Sequence, residues 1–153
     1  PEMGGSEYYS MTKSYSSKVP DVDIAALRAG MDVVIGGIER GAIVACHDIS
    51  DGGLAVALAE MCIGGDIGAD IDVSKLGDMR SDIRLFNEAP SRWVVELRKG
   101  KEKLLPKDRK AKVTKIGTVG GGALRIGAAK PLVDVCPDDL AEAFNTPFWK
   151  VMG

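Results

Sequence analysis

No stretch of this chain approaches the ~20 consecutive apolar residues that a membrane-spanning helix needs, and no basic-then-apolar signal peptide opens the sequence as given. The expectation is a soluble, cytosolic protein. Histidine is almost missing, with His47 alone. The three cysteines, Cys46, Cys62 and Cys136, have an odd count and no paired spacing, which excludes a disulfide framework or a zinc site and reads as buried, reduced thiols. An excess of charge of one sign is also lacking, since 20 basic residues face 22 acidic ones for a net charge of -2. Nucleic acid and an anionic membrane surface are therefore not expected as partners, whereas phosphate-bearing small molecules stay open. The basic run Lys99 to Lys112 reads as a solvated face.

What is present suffices for one domain, at 153 residues. The stretch around which the rest is organised runs from Ala42 to Leu54. Ala42 to Cys46 is a short continuous apolar run, the pattern of a strand covered on both faces. Leu54, Ala57, Leu58, Met61 and Cys62 then fall at helical spacing. Between them lie Ser50 and Asp51, both good N-cap residues, followed by Gly52 and Gly53. A helix N-terminus with free amides and no bulky side chain suits an anion.

Upstream, Gly4 to Lys18 reads as a loop or edge segment and not as a helix; its Gly4-Gly5-Ser6-Glu7 either meets a ligand or simply turns. Residues 22–40 read as a helix with Ile24, Leu27, Met31, Val34, Ile35 and Ile38 facing the core and Gly41 as the stop. Downstream, Gly64-Gly65 closes the helix that begins near Leu54. Ile67 to Val73 alternates as a strand, so strand, helix and strand suggest a crossover within one parallel or mixed sheet.

Ser81 to Phe86 predicts a short helix, Asn87 to Arg92 a polar turn, and Trp93 to Leu97 a strand. Two short strands, within 113–119 and 123–126, look like a hairpin through Gly120-Gly121-Gly122. Leu132, Val133 and Val135 add a third short strand. Pro137-Asp138-Asp139 opens a terminal helix whose Phe144, Phe148, Trp149 and Val151 would dock on the body. The class that results is α/β or α+β, a layered domain with a mixed sheet flanked by helices.

His47 to Glu60, with its Asp48-Ile49-Ser50-Asp51-Gly52-Gly53 turn, closely resembles a turn and helix near the end of the large subunit of phosphoribosylformylglycinamidine synthase. Gly4-Gly5-Ser6-Glu7-Tyr8-Tyr9 and Phe86 to Trp93 are similar to two further segments of that family, in the same order. The resemblance implies the C-terminal half of a synthetase-like repeat, with the fold of the aminoimidazole ribonucleotide synthetase C-terminal domain, residues 1–153 being one such domain excised from a longer chain. The implied activity is ATP-dependent conversion of formylglycinamide ribonucleotide and glutamine-derived ammonia to the amidine in purine biosynthesis.

The same resemblance implies that Ser50, Asp51, Gly52 and Gly53, with Gly4, Gly5 and Ser6, bind ATP or ADP, and that Asp48 and Asp51 hold Mg²⁺. It implies substrate contact for Glu88 and Ser91, although Asn87 and Ala89 stand where the family pattern has serine; the alternative for Glu88 is that it holds the turn through backbone amides. No residue is expected to be catalytic, since those of the family lie upstream, and His47 reads as orienting its turn. The implied partners are a nucleotide, the missing N-terminal synthetase half, a glutamine amidotransferase and small accessory subunits; exposed sheet edges would also favour a homodimer. Two other readings stand beside this one: a non-catalytic nucleotide-binding module, and another superfamily enzyme of the thiamine-monophosphate kinase, selenophosphate synthetase or hydrogenase maturation factor type.

Overall fold

A computed structural model of the chain describes residues 3–127 and 131–152. In chain order the elements are α1 (Glu7–Met11), α2 (Ile24–Glu39), β1 (Ile43–Asp48), α3 (Gly53–Gly65), β2 (Ala69–Ile71), α4 (Ser81–Phe86), β3 (Trp93–Leu97), β4 (Gly117–Val119), β5 (Leu124–Gly127), β6 (Pro131–Val135) and α5 (Pro137–Met152), with 3₁₀ turns at Val73–Leu76 and Glu102–Leu104. They form two compact units, one of Pro1–Ala57 with Arg80–Thr114 and the other of Leu58–Met79 with Lys115–Gly153. No helix among the described residues is long and apolar enough to cross a membrane.

In the first unit β1 pairs antiparallel with β3, His47 opposite Val94 and Asp48 opposite Trp93. Val44, Cys46 and Asp48 are exposed along β1, so this strand is not covered on both faces as its apolar run suggested, and Cys46 is not a buried thiol. Helix α2 starts where the Asp23 carboxylate accepts from the amides of Ala25 and Ala26. It stops at Gly41, in a left-handed conformation at φ 66°, with Gly41 N donating to Ile38 O and Ala42 N to Gly37 O.

The buried face of α2 is Ala29, Val33 and Gly37, and the stripe expected to face the core, Ile24, Met31, Ile35 and Ile38, is exposed. The reason is bulk on the facing side. A Cβ at Gly30 would lie 2.5 Å from the Trp93 ring, and one at Gly37 2.7 Å from Ile43 and 2.9 Å from Leu105. Large side chains from β1, β3 and the following loop fill the layer, so the helix must offer small ones.

The second unit holds a four-stranded mixed sheet in the order β4-β2-β5-β6. Central β2 is antiparallel to β4 and parallel to β5, and β5 is antiparallel to β6. Its core includes the fully buried Leu124 and Ile126 with Ala69, Ile71, Val73 and the α3 residues Leu58 and Cys62. Two expectations are corrected here. Strands β1 and β2 lie in different sheets, so α3 is no crossover within one sheet, and β4 and β5 are no hairpin because β2 lies between them.

The glycine run makes that insertion possible by wrapping the start of β2. Gly120 N donates to Gly68 O, Gly68 N donates to Gly121 O, and a Cβ on Gly68 would sit 2.2 Å from Ala123 O. Helix α5 begins as expected at Pro137 with Asp138 and Asp139 in its first turn. Its Phe144, Phe148, Trp149 and Val151 are exposed and do not dock, which corrects the expectation.

Gly68→Ala is expected to lower stability by about 1–3 kcal/mol, because the added methyl meets backbone that cannot swing aside. Gly64→Ala, in α3 with open space around its Cβ position, should instead raise it by about 0.5 kcal/mol. Urea denaturation of the two variants checks both signs.

Candidate functional site

The ladder of β1 and β3 is closed by Ile49 N donating to Arg92 O, and the chain then turns through Ser50, Asp51 and Gly52 into α3. Gly52 and Gly53 have φ of 77° and 68°, a region open to glycine at little cost. Gly53 is also confined, since a Cβ there would lie 2.7 Å from Leu85 O and 2.8 Å from the Phe86 Cα. Ser50 and Asp51 are exposed. The residue flanking α3 is Gly52, so neither of them holds the N-cap place that their side chains suggested.

The cap comes from elsewhere in the chain. Glu88 Oε1 accepts from Gly52 N at 2.8 Å and from Glu7 N, the first residue of α1, at 2.9 Å. One carboxylate oxygen therefore ties the first turn of α1 to the turn before α3. Residues 4–18, expected to be loop or edge, contain this five-residue helix. Ser6 caps it, its buried hydroxyl accepting from Tyr9 N at 3.3 Å and donating to Met3 O at 2.8 Å. Gly4 N donates to Lys18 O, and a Cβ on Gly4 would sit 2.1 Å from that oxygen; Gly5 has φ 81°.

Asn87 and Arg92 hold the third turn. The buried Asn87 Oδ1 accepts from Ala89 N and from Arg92 Nη2, both at 2.9 Å. Arg92 Nε donates to Ala89 O at 2.9 Å, and Nη2 also donates to Asn87 O. Burial pushes the Arg92 guanidinium pKa down from its ordinary value. These two residues were not candidates from the sequence. The only signal was Asn87 in a serine position, which turns out to be the bracket that fixes Glu88. Ser91 sits at φ 66°, unusual for a residue with a side chain, and its buried Oγ has no hydrogen-bond partner among the described residues.

Asp48, Ser50, Asp51, Glu88, Ser91 and Arg92 line a pocket of about 350 Å³ together with Ile49, Pro90 and Trp93. Of the residues singled out from the sequence, these bring together Ser50, Asp51, Asp48, Glu88 and Ser91. Gly4, Gly5, Ser6, Gly52 and Gly53 shape the turns and are not part of its lining. Two of the amides considered for an anion are engaged within the chain, Gly52 N by Glu88 and Gly53 N by Ser50 O at 3.0 Å. His47 Nδ1 donates to Asp48 O at 2.6 Å and lies 3.7 Å from Asp48 Oδ1, an arrangement that orients the end of β1. Among the described residues no group of three His, Cys, Asp or Glu side chains is placed to hold a metal ion by itself.

The family model described as AIR synthase related protein, C-terminal domain, matches residues 1–127. Phosphoribosylformylglycinamidine synthase subunit PurL of Methanothrix thermoacetophila is 36% identical over 99% of this chain and 20% of its own length. The same subunit of Methanocaldococcus jannaschii is 34% identical over 99% of this chain and 21% of its own length. The chain thus spans about a fifth of these relatives. A solved structure of T. maritima PurL complexed with FGAR shares the fold, with a TM-score of 0.68 at 20% identity over 84% of this chain and 23% of that one. PurLQS from Thermotoga maritima gives a TM-score of 0.67 over 81% of this chain and 23% of that chain, also at 20% identity.

Glu88→Ala is expected to cost about 2–4 kcal/mol, because it removes a charged acceptor from two amides at once. Glu88→Gln, which keeps a carbonyl oxygen in place, should lose about half as much. Thermal unfolding orders the two variants; equal losses would mean that the shared oxygen is not what matters.

Proposed function

The chain belongs to the AIR synthase related C-terminal domain family, and from that premise we propose that it is the C-terminal synthetase half of a phosphoribosylformylglycinamidine synthase subunit. In the reaction so proposed, ATP and glutamine-derived ammonia convert formylglycinamide ribonucleotide to the amidine, with ADP and phosphate released. The observation that carries the reading is Glu88. Its carboxylate joins the Gly4–Glu7, Asp48–Gly53 and Asn87–Arg92 stretches, which are far apart in sequence, into one construction beside one pocket.

Nucleotide phosphate would be met here by the hydroxyls of Ser50 and Ser91. Asp48 and Asp51 would reach it through Mg²⁺, which commonly takes one or two carboxylates together with phosphate oxygens and waters. Two exposed carboxylates, with no group of three His, Cys, Asp or Glu placed to hold a metal ion among the described residues, suit such a shared ion better than a metal site built by protein alone. The orphaned Ser91 hydroxyl fits the same role, since a ligand oxygen would satisfy it. Gly52, Gly53, Gly4, Gly5 and Ser6 contribute shape, bringing backbone close and holding Glu88 in register. When bound, the nucleotide supplies the phosphoryl group that activates the substrate amide oxygen; Glu88 and Arg92 keep the receiving turn fixed. An N-terminal synthetase half, a glutamine amidotransferase, small accessory subunits and a cytoplasmic location belong to the same proposal.

A second reading, a purely structural nucleotide-binding module, is favoured by one observation: Gly52 N and Gly53 N are already paired within the chain. Calorimetric titration with Mg-ADP and Mg-ATP separates the outcomes. The expected result is binding to the wild type that weakens about 10-fold in Ser91→Ala, the worth of one hydrogen bond to a charged ligand. Binding that Ser91→Ala leaves unchanged would overturn the placement of nucleotide in this pocket. The absence of any heat would remove nucleotide binding from this half of the protein.

A further inference from the structure

Trp93 lines the same pocket and has no part in the phosphate contacts proposed above. It opens β3 directly opposite Asp48 in the antiparallel ladder. Residues so opposed project from one face of a sheet, with their Cβ atoms about 5 Å apart. The indole therefore stands beside one of the two carboxylates assigned to the ion. Trp93 is half-buried, so it belongs neither to the core nor to the open surface.

Its place is fixed from behind. A Cβ at Gly30 would lie 2.5 Å from Trp93 Cζ3, 3.2 Å from Cη2 and 3.4 Å from Cε3, all atoms of the six-membered ring. Helix α2 thus gives up a side chain in its interior, where glycine is unfavourable, and the ring fills that space. The ring reaches from Asp48 to α2, and the residue still borders the pocket. A large aromatic side chain has only two torsions to fix, so one already held loses little freedom when a ligand meets it. Trp93 is also the one aromatic residue in the lining, beside the aliphatic Ile49 and Pro90.

We propose that Trp93 determines which phosphate compound this pocket accepts, by stacking the planar base of a nucleoside diphosphate or triphosphate. The inference rests on the placement of nucleotide phosphate in this pocket proposed above. Every nucleobase offers a π-face to such a wall. Formylglycinamide ribonucleotide has an open chain in place of a base and gains nothing from it. In the proposed reaction the pocket thus takes the nucleotide and not the amide substrate.

Tryptophan fluorescence reads this residue directly. The chain has two tryptophans, and Trp149, exposed on α5 and outside the pocket lining, can be replaced by Phe. In Trp149→Phe, Mg-ADP is expected to quench Trp93 emission saturably. Mg-pyrophosphate, which has the phosphates without a base, should bind at least about 10-fold more weakly and without quenching, the worth of one stacked base. By calorimetry, Trp93→Ala should weaken Mg-ADP about 10-fold. Trp93→Phe, which keeps an aromatic face and is the milder change for the fold, should retain most of the affinity, and circular dichroism confirms that both variants fold. Equal affinity for Mg-ADP and Mg-pyrophosphate, or saturable Mg-ADP binding that leaves Trp93 emission unchanged, would overturn the stacking and leave the phosphate placement standing. Mg-ADP binding that Trp93→Ala weakens and Ser91→Ala does not would do the reverse, keeping the base on Trp93 and moving the phosphates elsewhere. No binding of either ligand would overturn both.

Discussion

A single carboxylate oxygen governs the site. Glu88 Oε1 receives one amide from the start of α1 and another from the turn that starts α3. Both amides belong to the positive end of a helix or its approach, where a negative charge is favourable. Helix α1, at five residues, is far below the length at which a helix persists by itself, so it depends on such acceptors and on the Ser6 cap. The Asn87 and Arg92 bracket keeps Glu88 where both amides reach it. Remove the shared acceptor and three turns lose their common reference.

Close approach is the second constraint, and glycine placement answers it. Gly30 and Gly37 let α2 settle on Trp93, Ile43 and Leu105, Gly53 lets α3 begin against the end of α4, and Gly68 lets the loop of residues 120–123 cross the start of β2. In each case backbone, a ring or an aliphatic side chain occupies the volume that a side chain would fill. The apolar bulk of α2 is thereby displaced to its outer side, which is why hydrophobic spacing pointed at the wrong face.

Local elements were legible where one segment decided its own conformation. The stripe Leu54, Ala57, Leu58 and Cys62 is buried on α3, Gly41 ends α2, and α4 and β3 occupy the expected residues. The mixed sheet was foreseen, but its neighbours were not. Whether β2 lies beside β1 or between β4 and β5 is settled by residues some fifty positions away, and no local pattern encodes it. The same limit applied to the site. Ser50, Asp51 and Ser91 were visible as polar residues at junctions and Glu88 as a residue that could hold a turn through amides, whereas its partner Gly52 lies 36 positions away and the Asn87–Arg92 bracket looks like ordinary turn composition. Short-range signals named the turns, and long-range pairing assigned their roles.

The two units are interleaved in sequence, the chain passing from one to the other after Ala57, after Met79 and after Thr114. No continuous piece of the polypeptide encodes either of them. As the chain leaves the ribosome, β2 emerges without a single sheet neighbour, and both of its neighbours, β4 and β5, arrive only some forty-five or more residues later. The order of synthesis therefore imposes a wait on the central strand, during which Ala69 and Ile71 must stay unpaired. Folding of the second sheet is tied to the synthesis of β4, β5 and β6 and cannot run ahead of it.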